Sequence, residues 1–236
     1  MVFTLSTPLP GDAAVGRVLV TGAAGRIGSG FLRHVAGRYV LRATDVRPVE
    51  FPDFVLADLS DADALARACA EVDTVVHLGA NPSLDADWES LLPANIVGTQ
   101  NVFAAASAAG VRRVVYASSV HAVSGYPAGR QISADDPVNP GNLYGVTKVF
   151  GESLGRYYAE QRGMSVIALR IGAFHTADTK PEPAPYNDFL HLAETDLYHI
   201  MIRAIEVRGV GYAVVNAISE QVGGRLDITA TRELLG

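Results

Sequence analysis

One junction limits this chain more than any other. The β-branched run Arg17-Val18-Leu19-Val20-Thr21 passes directly into Gly22-Ala23-Ala24-Gly25-Arg26-Ile27-Gly28, and Ile27 to Gly37 then reads as a helix. An uninterrupted apolar run of this length is a buried strand. Each glycine has a separate use: Gly22 permits a tight turn, Gly25 lets backbone approach a ligand, and Gly28 lets the helix lie close on the strand. A helix starting there points unpaired N–H groups and partial positive charge at whatever sits above the loop, which suits a pyrophosphate. A second strand, Tyr39 to Asp45, ends on an acid about twenty residues past the first glycine, where a carboxylate accepts from ribose hydroxyls. The pattern predicts a dinucleotide site, with Gly22, Gly25, Arg26, Ile27 and Gly28 at the phosphates and Asp45 at the ribose. A carboxylate there repels the 2′-phosphate of NADP, so NAD is the expected cofactor. Arg47 is the opposing signal, because a guanidinium accepts that phosphate. Asp58-Leu59 stands where it can meet the adenine edge, and Asp58 equally suits a helix cap.

The rest of the chain repeats the strand–helix rhythm. Further strands are expected at Phe54–Asp58, Thr74–Leu78, Arg113–Ser118 and Ser165–Arg170, with helices at Asp61–Ala70, Asn95–Ala109 and Leu143–Arg162. The strand runs are apolar throughout and do not alternate, as in strands covered on both faces. The expected fold class is α/β: a Rossmann-type doubly wound parallel sheet with a small C-terminal substrate-binding cap. Residues 15–170 form the cofactor core and 171–236 the cap of one domain, 1–236. Within the cap, Ala173–Ala193 carries Pro181, Pro183 and Pro185 and reads as a loop. It is followed by a helix at Ala193–Val207, a short strand at Tyr212–Asn216 and a last helix at Ile228–Leu235. A lid this short favours a small substrate over a nucleotide-linked one.

Composition narrows the class. The net charge is −6 with no basic run, which argues against nucleic acid as a partner. Cys69 is the only cysteine, so an internal disulfide and a Cys-based zinc site are excluded, and a reducing cytoplasm is expected. No apolar stretch approaches the ~20 residues that span a bilayer, and Met1–Gly16 lacks the pattern of a signal peptide.

Chemistry enters at Tyr144-Gly145-Val146-Thr147-Lys148, which opens the longest helix. Residues four apart share a helix face, so phenol and ammonium project together. Ser118-Ser119 ends the preceding strand, at the edge where open α/β sheets bind ligands. With the glycine loop, these residues resemble the short-chain dehydrogenase/reductase family. The likeness extends to its extended branch through His77-Leu78-Gly79, Ala117-Ser118-Ser119-Val120-His121, Phe150-Gly151-Glu152 and Leu169-Arg170-Ile171-Gly172. Within that branch the chain is most similar to uronate dehydrogenases and related NAD-dependent sugar dehydrogenases.

The resemblance implies an oxidoreductase in which Tyr144 is general acid/base, Ser119 holds the substrate oxygen, and Lys148 binds the nicotinamide ribose and lowers the Tyr144 pKa. A free phenol ionises near pH ~10, so a base active near neutrality must ionise about 3 pH units lower. By the same comparison Leu78, Gly79 and Ala80 line the cofactor path. Asn95 matches a position supporting the active-site helix, although a plain cap or buried amide explains it as well. Uronate dehydrogenases carry an asparagine, a serine and a carboxylate-clamping arginine where this chain has Val120, Ala173 and Asn187. His121 matches the family and is expected at the substrate, or in a local structural role. His175, Lys180 and His191 are candidates to replace the missing arginine. The resemblance also implies a homodimer paired through the helices at 95–109 and 143–162. Two rival readings share the fold: a nucleotide-sugar epimerase or dehydratase, and a dinucleotide-binding protein without catalysis. Against the dehydratase, Val120-His121 stand where an acid pair is required.

Overall fold

The computed structural model describes residues 3–4, 15–176, 190–220 and 224–236. Eight strands form one sheet: β1 (Phe3–Thr4), β2 (Arg17–Thr21), β3 (Val40–Asp45), β4 (Phe54–Leu56), β5 (Thr74–His77), β6 (Arg113–Ser119), β7 (Ser165–Ile171) and β10 (Val210–Ala217). Their order is β1-β10-β7-β6-β5-β2-β3-β4, all parallel except β1, which runs antiparallel to β10. The order reverses between β2 and β5. At such a switch point, the crevice beyond the strand carboxyl ends is where ligands bind.

Two helical layers explain why the strands are apolar on both faces. Val18 and Val20 point to the layer holding α1 (Arg26–His34), α6 (Glu194–Glu206) and α7 (Thr229–Leu235), where Phe31, Leu197, Met201 and Leu235 are buried. Leu19, between them, points to the opposite layer of α2 (Ala62–Cys69), α4 (Thr99–Ala108) and α5 (Leu143–Arg162), among Leu65, Phe103 and Tyr158. Each such side chain, fully buried, contributes about 1.5–3 kcal/mol. Gly151 of α5 sits so close to the Tyr116 ring that a Cβ would come within 2.1 Å of it.

Local signals set the element ends. Asn142 caps α5 through Gly145 N–H at 2.7 Å, and Gly163, at φ 69°, ends the helix in the left-handed region. Asp61 caps α2 through Ala64 N–H at 2.9 Å, so Asp58 is not the cap.

Three departures from the sequence reading bear on the site. The short strand at Tyr212–Asn216 lengthens to β10 and pairs with β7, so part of the chain after residue 170 belongs to the sheet itself. Within the supposed loop, β8 (Ala173–His175) and β9 (His191–Ala193) form a separate parallel pair, with Ala173 opposite His191. The helix expected from Asn95 starts earlier and differently. The short α3 (Trp88–Leu91) runs into a π-helical turn over Leu92–Gly98, containing Pro93, before α4 begins.

The glycine loop supplies a test of packing. A Cβ on Gly28 would stand 2.2 Å from the Gly22 carbonyl oxygen, which is backbone and has little room to yield. Gly28→Ala is therefore expected to lose about 1–3 kcal/mol, read as a Tm lower by about 2–4 °C per kcal/mol.

Candidate active site

A cleft of about 800 Å³ lies across the carboxyl ends of β2, β3, β5, β6 and β7. Its first half is mostly backbone. Gly22 turns at φ 69°, and a Cβ there would meet the Gly79 N at 2.8 Å, so the loops after β2 and β5 touch. Gly25 precedes α1 with no side-chain cap, and no acid occupies the first turn. The first-turn N–H groups of α1, without intrahelical acceptors, therefore remain available to an anion.

Thr21 fixes this floor. Its Oγ1 accepts from Leu78 N and Gly79 N, both at 3.1 Å, and lies 2.8 Å from His77 Nδ1. With both lone pairs used, the hydroxyl proton goes to Nδ1, which leaves the imidazole proton on Nε2. Burial, with the Lys148 charge nearby, holds His77 down at about 3, so the ring is neutral.

Asp45 is almost buried at the far end of this half. Its Oδ2 accepts from Ala24 N and its Oδ1 from Arg47 N, both at 2.9 Å. Arg47 folds back to donate to the Ala24 carbonyl at 2.8 Å, its guanidinium still mostly exposed. Asp58 Oδ1 takes the Ser60 N–H and hydroxyl, both at 2.8 Å, which lowers its pKa and leaves Oδ2 for a ligand. The glycine cradle, the open helix N-terminus and the carboxylate at the β3 end fit a dinucleotide lacking a 2′-phosphate.

The second half is built of side chains. Ser119 ends β6, Tyr144 and Lys148 stand one turn apart on α5, and all three line the cleft. Lys148 Nζ donates to the Ala117 carbonyl at 2.9 Å and stands 5.4 Å from the Tyr144 ring centre. His121 is partly buried and receives Asn142 Nδ2 at its Nδ1, 3.2 Å away. Asn142 Oδ1 is committed to the α5 cap, so its amide end faces the histidine. The His121 proton thus sits on Nε2, as a donor.

Ionisation in the chain alone departs from the expectation for Tyr144. Burial pushes the phenol up to about 12, with a hydrogen bond to Ser119 acting the other way. Burial also brings Lys148 down to about 8, so its ammonium does not pull the phenol below its ordinary value. Removing both groups from water outweighs their proximity.

Ser118 and Ser119 have separate fates. Ser118 Oγ donates to Glu152 Oε1 at 2.6 Å, and Arg170 binds the same carboxylate through Nε at 2.9 Å and Nη2 at 3.0 Å. All three are buried. Glu152 and Arg170 lie 18 residues apart in the chain, and the fold brings them together.

Every residue expected at the cofactor lines the cleft except Asn95. Its carboxamide accepts from Asn81 N at 2.7 Å and donates to Asn81 O and Thr147 Oγ1, which ties the loop after β5 to α5. Of the residues expected at the substrate, Ser119, His121, Tyr144 and Ala173 line the cleft. Val120 does not: it packs with Val123, Ile132, Ile218 and Leu226 in a separate small core. Asn187 and Lys180 lie outside the described residues. Phe174 and His175 line the cleft as well; the edge pairing of β8 with β9 carries them, and no local pattern marks it.

The fold and site together match a known family. The family model described as the NAD dependent epimerase/dehydratase family covers residues 18–193, and the chain belongs to it. An L-arabinose 1-dehydrogenase (NAD(P)(+)) of Haloferax volcanii is 37% identical over 93% of this chain and 94% of its own. The NAD-dependent glucose-6-phosphate dehydrogenase of the same organism is 34% identical over 93% and 91%. Among solved structures, a mutant uronate dehydrogenase from Agrobacterium tumefaciens complexed with NAD superposes at a TM-score of 0.85. It is 33% identical and covers 94% of this chain and 83% of that one.

Two measurements test the site's energetics. Glu152→Ala leaves the Arg170 charge buried and unpaired, so a loss of about 3–5 kcal/mol in urea unfolding is expected. Replacing both by Met is expected to cost less than that single change. Lys148 ionises at about 8 when folded, against 10.5 ordinarily. Below pH 8 the buried charge destabilises fully, and the penalty fades as pH rises towards 10.5, where the unfolded chain holds the extra proton. Lys148→Met is expected to be more stable than the unaltered chain near pH 7, by up to about 3 kcal/mol, with the gap shrinking at about pH 9.5.

Proposed function

We propose that this chain is an NAD-dependent dehydrogenase that oxidises the hydroxyl of a small sugar-like substrate. One observation carries the reading: the Ser119, Tyr144 and Lys148 side chains open into the same cleft as the glycine cradle and Asp45. The three proteins described above are dehydrogenases of sugars or sugar derivatives, which supports the substrate class.

NAD, when bound, would supply the hydride acceptor and a positive charge. Gly22, Gly25, Arg26, Ile27 and Gly28 would hold its phosphates, Asp45 its adenosine ribose, and Asp58 with Leu59 its adenine. Leu78, Gly79 and Ala80 line the path between. Tyr144 is the general base, and its oxygen takes the hydroxyl proton as the substrate is oxidised. Ser119 fixes that oxygen by hydrogen bonding, and the His121 Nε2 proton is directed to a second substrate oxygen. Lys148 would donate to the nicotinamide ribose. Burial holds the Tyr144 phenol up at about 12 in the chain alone, and the positive charge that NAD would bring would favour its ionisation.

The same reading includes residence in the cytoplasm, in keeping with the single buried thiol of Cys69. Among the described residues no helix is long and apolar enough to cross a membrane. It includes a homodimer as well. Leu143, Val146 and Tyr157 form one exposed stripe along α5, each more than 40% accessible, which suits helix-to-helix pairing.

Purified protein given NAD and a panel of aldoses is expected to produce NADH and a net oxidised product, with no isomer. Tyr144→Phe is expected to lower kcat by about 10²–10⁴-fold while the Kd for NAD stays within about twofold. NAD binding without turnover on any substrate, or full activity in the Phe variant, would overturn the assignment.

A further inference from the structure

Lys148 lines the cleft and yet is only 4% exposed. Among the described residues no carboxylate pairs with it. Glu152, one turn further along α5, gives Oε1 to Ser118 Oγ and Arg170 Nε, and Oε2 to Arg170 Nη2. The ammonium has one hydrogen-bond acceptor there, the Ala117 carbonyl at 2.9 Å. A lysine in so dry a place gives up its proton readily unless something else favours the charge.

Two aromatic rings flank it. Nζ stands 5.3 Å from the ring centre of Tyr116 and 5.4 Å from that of Tyr144. Tyr144 lines the cleft, whereas Tyr116, on β6, is 1% exposed and takes no part in the lining. The Tyr116 ring is tightly held. Gly151 presses on it, so that a Cβ there would come within 2.1 Å, and the His77 and Phe103 rings pack at 5.8 and 6.2 Å between centres. A ring face attracts a cation, more strongly where water is absent. Unlike a carboxylate, it does so without consuming N–H donors. Of the three on the ammonium, one goes to Ala117 and two are left for a ligand.

We propose that Tyr116 is a positioning residue: the face of its ring keeps the Lys148 ammonium charged and in place for the nicotinamide ribose. The proposal rests on the dehydrogenase reading above. The other groups around the ammonium do not fill this part. His77 on β5 is neutral, burial keeps the Tyr144 phenol on α5 protonated, and Glu152 is matched by Arg170. From the neighbouring π-helical turn, Asn95 offers its amide to Thr147 of α5. Burial already brings Lys148 down to about 8, so losing the ring's attraction would discharge it near neutrality.

Lys148 and Lys180 are the chain's only lysines. Isotope-labelled lysine Cε therefore gives two NMR signals, and Lys148→Met identifies the one from Lys148. Its titration midpoint is measured without cofactor in the unaltered protein, Tyr116→Phe and Tyr116→Leu, together with the Tm and the Kd for NAD at pH 6 and pH 8. Tyr116→Phe keeps the ring and should leave the midpoint within about 0.3 pH units. Tyr116→Leu should lower it by about 1 pH unit. The same change should weaken NAD up to about fivefold at pH 8, and less than about twofold at pH 6, where the amine stays charged. Should the Leu form fail to fold, trifluorophenylalanine at position 116 keeps the shape and removes the negative ring face; it should lower the midpoint similarly. An unmoved midpoint in a folded Leu or trifluorinated form overturns the proposal. So does a Phe form shifted as far as the Leu form, or NAD weakened equally at both pH values. If the unaltered protein binds NAD and oxidises no sugar, the dehydrogenase reading falls; the midpoint, read without turnover, still decides the hold of Tyr116 on Lys148.

Discussion

The carboxylate of Glu152, held by Arg170 and by Ser118, joins the three elements on which the second half of the cleft depends. Glu152 lies one turn beyond Lys148 on α5, Ser118 precedes Ser119 on β6, and Arg170 nears the end of β7. A buried ion pair is a weak source of net stability, because desolvation consumes most of the attraction. Its effect here is geometric. The bidentate contact and the serine hydroxyl define how far α5 can slide or roll against the sheet. Tyr144 and Lys148 on the helix are thereby held in register with Ser119 on the strand. The close approach at Gly151 sets the depth of the same helix, so pair and glycine jointly fix its position.

The cleft divides into two kinds of construction. On the dinucleotide side, glycines, helix N–H groups and the Thr21 hydroxyl do the shaping, and one carboxylate supplies the selectivity. Such a surface is nearly independent of side-chain identity. On the substrate side the wall consists of Ser119, His121, Tyr144 and the β8 residues. Two of them have a partner behind: Asn142 behind His121, and His191 behind His175.

How much of this the sequence discloses follows from the range of each interaction. The parallel strands are legible because both faces are buried, which leaves uninterrupted runs such as Val18-Leu19-Val20. The ends of α5 match the reading of 143–162 to the residue because Asn142 and Gly163 act within one turn of it. The glycine loop and Asp45 declare themselves because their roles depend on local backbone and strand ends. What escapes is nonlocal. The addition of β10 to the sheet and the pairing of β8 with β9 depend on which strands meet, and periodicity carries no record of that. Val120 follows a serine that lines the cleft yet turns into a core, since the 3₁₀ turn at Val120–Val123 rotates it away. The ionisation of Tyr144 escapes for the same reason: spacing reports that Lys148 is near, but not how dry both groups are.

The π-helical turn at Leu92–Gly98 carries one residue more than an α-helix would need over the same rise. The wider turn absorbs that residue, so Trp88 and Leu91 keep nearly the phase relative to α4 that an uninterrupted α-helix would give them. The widened turn brings the Asn95 carboxamide to Asn81 while Ala94 still faces the cleft. Loss of one residue here would close the wide turn into an ordinary α-helix and leave the flanking helices in phase, so its effect would fall on the backbone that presents Asn95 to Asn81 and Ala94 to the cleft.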